Sequence, residues 1–303
     1  RKDSFEIENS KKTAEQLNFK WIFIEYNSLL IDGFLDTSAF KEYVYFAGKL
    51  SSMPNLQEYF AVKYLKENNL IAEDSIFIPG YAGDLLGGSQ FLKVIPANLK
   101  HTEIADLILE QKFTNYPLPT SEKKILKGEV EKQLTHFDEN YVEKIPSSVF
   151  EDFDLKEKIA KYIFNSANFY TYFGYEHRFP YWDKELLGFF KKVPVKNKLM
   201  KRFFDDILIN EYFKKYNVYF ESELQPSEKN INIQKVKNKI KPFLPTFIKQ
   251  QFLEKNDWVN YKPLTDEMLK SLDVNKLKVK KSSKEYNEII TQWYLYFSKN
   301  KIK

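Results

Sequence analysis

Cysteine is absent from the 303 residues. That excludes disulfides, thiolate metal sites and a cysteine nucleophile within this stretch, and it fits a reducing, cytoplasmic setting. Histidine is scarce. His101, His136 and His177 lie far apart, with none of the spacing that places two imidazoles on one metal. Nine glycines and twelve prolines are too few for a low-complexity or fibrous chain. No run reaches the roughly 18 consecutive apolar residues of a membrane span. Arg1–Ser10 is charged where the apolar core of a signal peptide would sit, so neither a membrane nor a secretory route is expected. A nucleophile elbow is missing too: Ser89 follows two glycines, but outside the G-x-S-x-G pattern of serine hydrolases.

What is present is aromatic and lysine-rich. Phenylalanine (27) and tyrosine (20) dominate an aromatic fraction of 17%, and 43% of the chain is hydrophobic. A sizeable core is therefore predicted, in one large α/β domain or in a domain with an extension. The net charge of +5 comes from basic and acidic residues interspersed along most of the chain, which reads as a solvated surface. Residues 232–249 depart from this, being lysine-rich without Asp or Glu. No interleaving of aromatic and basic residues marks a nucleic-acid surface, so no nucleic-acid partner is expected.

Hydrophobic periodicity predicts helices over Ser4–Leu17, Thr37–Ala47, Asn55–Glu67, Glu103–Gln111, Ser121–Phe137, Leu155–Phe173, Leu199–Lys214 and Lys284–Phe297. Two short apolar runs, Trp21–Tyr26 and Ser75–Ile78, read as buried strands. Strands alternating with helices imply a parallel sheet covered on both faces, with ligands gathering at the carboxyl ends of strands. The boundary suggested by the polar stretch Glu223–Asn230 divides residues 1–222 from a basic helical extension, 223–303.

Three segments carry candidate chemistry. The first is Pro79–Ser89, PGYAGDLLGGS, directly after the second strand. Glycine admits left-handed backbone and close approach of N–H groups, which suits a phosphate nest. Asp84 inside that run would repel a phosphate unless a cation intervened, so Gly80, Gly83 and Asp84 together suggest a Mg²⁺–phosphate site. A tight strand-to-helix turn with Asp84 capping the next helix explains the same residues. The second segment is Glu176-His177-Arg178-Phe179-Pro180-Tyr181-Trp182-Asp183. Here Asp183 stands where a helix N-cap is wanted and Arg178 has carboxylates within reach. In the third, Lys198 and Arg202 are four apart, a spacing that shares one helix face and could hold a polyanion.

In this order and at this spacing, the three segments resemble the synthetase domain of the asparagine synthase family. That family carries a SGxGxDELxGG motif after a strand, matched by Pro79 to Gly88. About a hundred residues on it carries ExRxPFLD, matched by Glu176 to Asp183. A KxxxR pair then follows, matched by Lys198 and Arg202. The opening Phe5-Glu6 through Ala14 and Leu17 is similar to the family's FExxxAxxxAxxL helix, and the last helix with Trp293 is similar to its closing helix. The resemblance implies a HUP-type α/β domain with a five-stranded parallel sheet, followed by a mainly helical part. It also implies an enzyme that uses ATP and Mg²⁺ to adenylate a carboxylate, which ammonia then converts to an amide. Asp84 would serve Mg²⁺ and pyrophosphate. Lys198 would stabilise charge as the α–β bond breaks, with Gly80, Gly83 and Arg202 beside the nucleotide. Tyr81, Glu176, Arg178 and Asp183 would shape the substrate site.

The match is incomplete. The family's SGGxDS loop occurs nowhere in the chain, so Arg1 reads as a truncation point, and the fragment alone is expected to bind ATP poorly and to be inactive. Tyr81 stands where the family has an acidic residue, and Leu85 replaces the acidic residue after the aspartate. These departures bear on the acceptor. Related branches act on sugar acids in surface-polysaccharide pathways and on peptide or antibiotic precursors. The ammonia source would be a glutaminase half upstream, a separate chain or free ammonia. Two other readings stay open: a degenerate, non-catalytic synthetase domain used for binding or scaffolding, and another HUP-type ATPase that adenylates a tRNA base or a carbonyl.

Overall fold

The computed structural model describes residues 4–48, 52–89, 91, 98–113, 118–138, 141, 146–165, 167–220, 257, 260–272 and 286–301. The segment 223–256, with its basic stretch, and the proposed boundary at 222/223 lie outside the described residues. The chain forms two compact units, one of residues 36–206 and the other of 1–35 with 207–303. Among the described residues it is mainly helical, with one small parallel sheet.

In the 36–206 unit, strand β1 (Ile76–Phe77) pairs in parallel with strand β2 (Glu176–His177), Ile76 opposite Glu176 and Phe77 opposite His177. Almost a hundred residues separate the two strands, among them the helices His101–Lys112, Thr120–Leu134 and Pro146–Phe153, and a long crossover suits a parallel pair because a hairpin cannot connect one. Helices Ser38–Gly48, Gln57–Glu67 and Asn168–Tyr172 pack on one another through Phe40, Tyr43, Tyr59 and Phe60. Tyr43 and Tyr59 stack with ring centres 4.4 Å apart. A second core joins His101–Lys112, Thr120–Leu134 and Pro146–Phe153 through Ile104, Ile108, Val130, Leu134, Val149 and Phe150. Removing each such side chain from water stabilises the fold by about 1.5–3 kcal/mol before entropy is counted.

In the other unit, Ser4 caps Phe5–Gln16 by accepting from the Glu6 amide at 3.3 Å. Helix Lys262–Ser271 packs against Tyr286–Lys301 and Ser28–Ile31, burying Met268, Ile31 and Trp293.

Several expectations need correction. Residues 21–26 make no strand among the described residues: Trp21 and Phe23 stack on one side, as alternate residues of an extended chain do, and the Tyr26 carbonyl accepts from the Asn260 side chain rather than from a sheet partner. The five-stranded HUP sheet is not formed by the described residues, which hold two short strands. The SIFI run is only half-buried, with Ile76 and Ile78 exposed and Phe77 partly covered. The single helix expected over Leu155–Phe173 is instead a wide π-type helix, Asp154–Phe164, and the short Asn168–Tyr172. The Asn168 side chain donates to the Asn165 carbonyl at 2.6 Å and replaces a helical bond at the break. The helix expected from Leu199 begins as a 3₁₀ turn over Leu199–Lys201 and becomes α-helical at Arg202–Ile207.

Candidate functional site

Parallel pairing places the residues that follow β1 and those that follow β2 at the same sheet end. The Arg178 amide donates to the Phe77 carbonyl at 2.9 Å, so the glycine run and the FPYWD run leave the sheet side by side. Tyr81 then stacks on Phe179, ring centres 6.1 Å apart.

The glycine run turns at Ala82, which takes a left-handed φ of 73° and opens the short helix Gly83–Leu86. Three of its glycines exist because another segment touches their backbone. A Cβ at Gly83 would lie 3.1 Å from the Tyr181 ring, and one at Gly87 would lie 2.7 Å from Phe204 Cβ. Gly88 has φ +100°, and a Cβ there would lie 2.3 Å from the Lys198 carbonyl oxygen. Gly80 differs, for it faces open space and no packing requires it. The three sequence segments therefore meet: the glycine run carries Tyr181 and Phe204 on its surface and Lys198 against its end.

Asp84 is exposed in the first turn of Gly83–Leu86 and accepts a hydrogen bond from Ser89 Oγ at 2.8 Å. It does not cap that helix; Ala82 stands at the cap with no side-chain bond. Its charge reaches Lys158, whose amine is pushed below the usual lysine range by burial first and by Lys112 next, against the pull of Asp154 and Asp84.

Lys198 takes another direction. It is 1% exposed, and its amine donates to Glu151 Oε1 at 2.5 Å, 5.4 Å from the centre of the Phe91 ring. Glu151 and Asp154 line a cavity of about 20 Å³ with Leu85, Gly88 and Phe91, space for a single water. Asp154 is buried, its Oδ2 taken by Lys112 at 2.7 Å and its Oδ1 without a partner; burial holds its carboxyl above the usual range against the pull of Lys112. The main chain of Lys198 thus adjoins the glycine run, while its amine turns inward and Asp84 turns to solvent.

Lys198 and Arg202 do not share a helix face. Met200 and Lys201 between them adopt left-handed φ angles of 58° and 60°, so Lys198 ends one short helix, Val195–Lys198, and the exposed Arg202 starts another. Glu176 and Arg178 pair with each other at 2.8 Å, both more than half exposed, an arrangement worth at most about 1 kcal/mol. Asp183 caps Lys184–Lys192, accepting from the amides of Glu185 (2.8 Å) and Leu186 (3.1 Å), worth about 1 kcal/mol.

The sequence offered no sign of Glu58, from helix Gln57–Glu67. Tyr81 donates to Glu58 Oε1 at 2.5 Å and lies 3.5 Å from Asn55 Nδ2. Burial first, then the Glu58 charge, drives the Tyr81 phenol well above its ordinary value. Glu151, Asp154 and Lys158 were equally illegible as a group, because acidic and basic residues on a helix normally face water.

As a holder for Mg²⁺ and phosphate, Asp84 fits: one exposed carboxylate beside the unobstructed Gly80 backbone suits a cation that keeps most of its waters. No group of three or more His, Asp or Glu residues gathers for an all-protein metal site among the described residues. Lys198, engaged by Glu151, does not fit a phosphate in this arrangement. Among the described residues, no helix is long and apolar enough to cross a membrane. In comparisons with known proteins, the chain matches no family model, no curated protein and no solved structure.

Proposed function

We propose that the chain is part of an ATP-dependent ligase of the asparagine synthase type, a HUP-type domain that adenylates a carboxylate and passes it to ammonia. One observation carries the reading. Segments at 79–89, 176–183 and 198–202, singled out for their chemistry, approach one another at the carboxyl end of a parallel strand pair, Gly83 against Tyr181 and Gly88 against the Lys198 carbonyl. That is where open α/β folds bind ligands. A set of unrelated caps and turns has no reason to converge there.

In this reading Asp84 holds Mg²⁺ through its exposed carboxylate, and the Gly80 backbone adjoins the pyrophosphate. ATP supplies the adenylyl group. Lys198 contributes positive charge once it leaves Glu151, and a prepositioned cation is the main means of lowering the barrier as charge develops on the departing pyrophosphate. Arg202, outside the buried pair, meets the nucleotide from solvent. Tyr81, Phe179 and Tyr181 wall the acceptor side.

ATP–pyrophosphate exchange by the full-length protein, driven by an added acceptor carboxylate, tests this directly. Exchange lost in Asp84→Asn and Lys198→Met supports it. A full-length protein that exchanges with no carboxylate, amino or sugar acids included, would falsify it. The buried Lys198–Glu151 pair favours a second reading, a degenerate domain that binds without catalysis. Stabilisation by Mg·ATP that ignores Asp84 and Lys198, together with absent exchange, is the outcome that reading expects.

A further inference from the structure

We propose that the loop from Phe189 to Met200 docks on an anionic lipid surface, with Phe189 and Met200 entering the boundary between headgroups and acyl chains and with Lys191, Lys192 and Lys196 on the headgroups. The chain then lies on a bilayer without crossing it. Such a contact neither needs nor excludes the ligase activity.

Between Glu185 and Asp205 the chain carries no Asp or Glu, whereas Lys191, Lys192, Lys196, Lys198, Lys201 and Arg202 are all cationic. Lys198 is spent on Glu151, and Lys201 on Asp205 at 3.2 Å. Lys191, Lys192 and Lys196 are exposed and pair with no carboxylate among the described residues. Other helices of the same unit pair exposed lysines locally: Lys63 with Glu67 at 2.7 Å, Lys156 with Asp152 at 2.6 Å, Lys161 with Glu157 at 2.5 Å. The helix dipole favours Lys191 and Lys192 in the last turn of Lys184–Lys192, but it gives no reason for Lys196, past Pro194.

The chain folds back on itself here. The rings of Phe189 and Phe203 meet with centres 6.0 Å apart, and those of Phe190 and Phe204 with centres 6.1 Å apart. Lys191, Lys192, Lys196 and Met200 therefore sit on one loop whose ends touch. Phe190 is buried, but Phe189 is 49% and Met200 43% exposed. Lys192 follows Phe189 by three residues on the helix, so amine and ring share a face. Exposed apolar groups among unpaired lysines suit an interfacial contact: the apolar groups gain by leaving water, and the amines gain from the negative headgroup potential. A nucleic acid would also draw the amines. However, Phe189 already packs on Phe190 and Phe203, and Met200 has no ring face on which a base could stack.

Each lysine near an anionic surface strengthens partition about fivefold. Three of them with one phenyl group give reversible, salt-sensitive attachment rather than permanent anchoring. That agrees with the described residues, among which no helix is long and apolar enough to cross a membrane.

Vesicle flotation tests this on the full-length protein. Vesicles of phosphatidylcholine with about one-third phosphatidylserine should carry the protein upward, and vesicles of phosphatidylcholine alone should not. Raising NaCl from about 0.05 M to about 0.5 M should release it. Replacing Lys191, Lys192 and Lys196 together by glutamine should weaken binding about a hundredfold, with the thermal midpoint of wild type kept. Should that triple variant melt early, Lys196→Gln alone takes its place, with an expected loss of about fivefold. Phe189→Trp reports on depth: its emission should shift to the blue on phosphatidylserine vesicles, beyond any change in wild type. Absent flotation, equal flotation on both vesicle types, or binding that the lysine variants retain in full overturns the proposal. So does bound Phe189→Trp protein whose emission stays as it is in water. Poly(U) binding that is lost in the triple variant, with no flotation, assigns the face to nucleic acid and overturns the lipid contact as well. None of these readouts depends on ATP–pyrophosphate exchange, so the ligase reading can fail or stand apart from them.

Discussion

At the scale of single residues, the glycine run separates into two kinds of position that look alike in sequence. Gly88 has a left-handed φ and a carbonyl oxygen 2.3 Å from where a Cβ would stand, whereas Gly80 has open space. Gly88→Ala is expected to destabilise the fold by about 2 kcal/mol or more, from strain and overpacking together. Gly80→Ala should change stability by less than about 0.5 kcal/mol. Urea denaturation of the two variants side by side measures the contrast, and equal midpoints would contradict the packing described. Lys198 and Glu151 offer another single-residue test. Removing one partner of a buried pair strands the other charge, so Lys198→Met alone should cost about 3–5 kcal/mol, and Lys198→Met with Glu151→Leu should recover much of the loss. A double-mutant cycle in chemical denaturation reads that coupling.

At the scale of elements, β2 carries a titrating group into the sheet. Burial depresses the His177 imidazole below its ordinary value near 6.5, with Glu176 pulling weakly the other way. The unfolded chain therefore takes up the proton first. Stability is held above pH 6.5 and falls as pH drops from there through the lower folded-state value. His177→Gln should flatten thermal midpoints across that window. A wild-type profile already flat below pH 6.5 would contradict the assignment. The helices of the 36–206 unit were legible because each has a periodic apolar face: His101–Lys112 was expected from Ile104, Leu107 and Ile108, and Lys184–Lys192 from its Asp183 cap. The strands were less legible, because a strand depends on a distant partner. Within Ser75–Ile78, Ile76–Phe77 pairs with Glu176–His177 as β1; Trp21–Tyr26 is in no strand ladder among the described residues. The kink at Met200–Lys201 left no sequence mark, since neither residue favours left-handed backbone, and it divided a lysine–arginine pair that spacing had joined. In the site, the segments were legible and the partners of their side chains were not. Nothing in the sequence around Glu58 or Glu151 distinguishes either from a surface carboxylate.

At the scale of the whole molecule, the cluster of Ile104, Ile108, Val130, Leu134, Val149 and Phe150 draws its described members from the 36–206 unit. Expressed by itself, 36–206 should show a cooperative thermal transition by circular dichroism, with Trp182 fluorescence changing at the same midpoint. Non-coincident or featureless transitions would show that this unit depends on the rest of the chain. The contact of Gly88 with the Lys198 carbonyl has a consequence during synthesis. More than a hundred residues separate the two, so the turn after β1 is unfinished until that length has left the ribosome, an interval of about 5–25 s. Through that wait Ile76 and Phe77 lack the strand they pair with and Gly88 lacks the carbonyl it packs against.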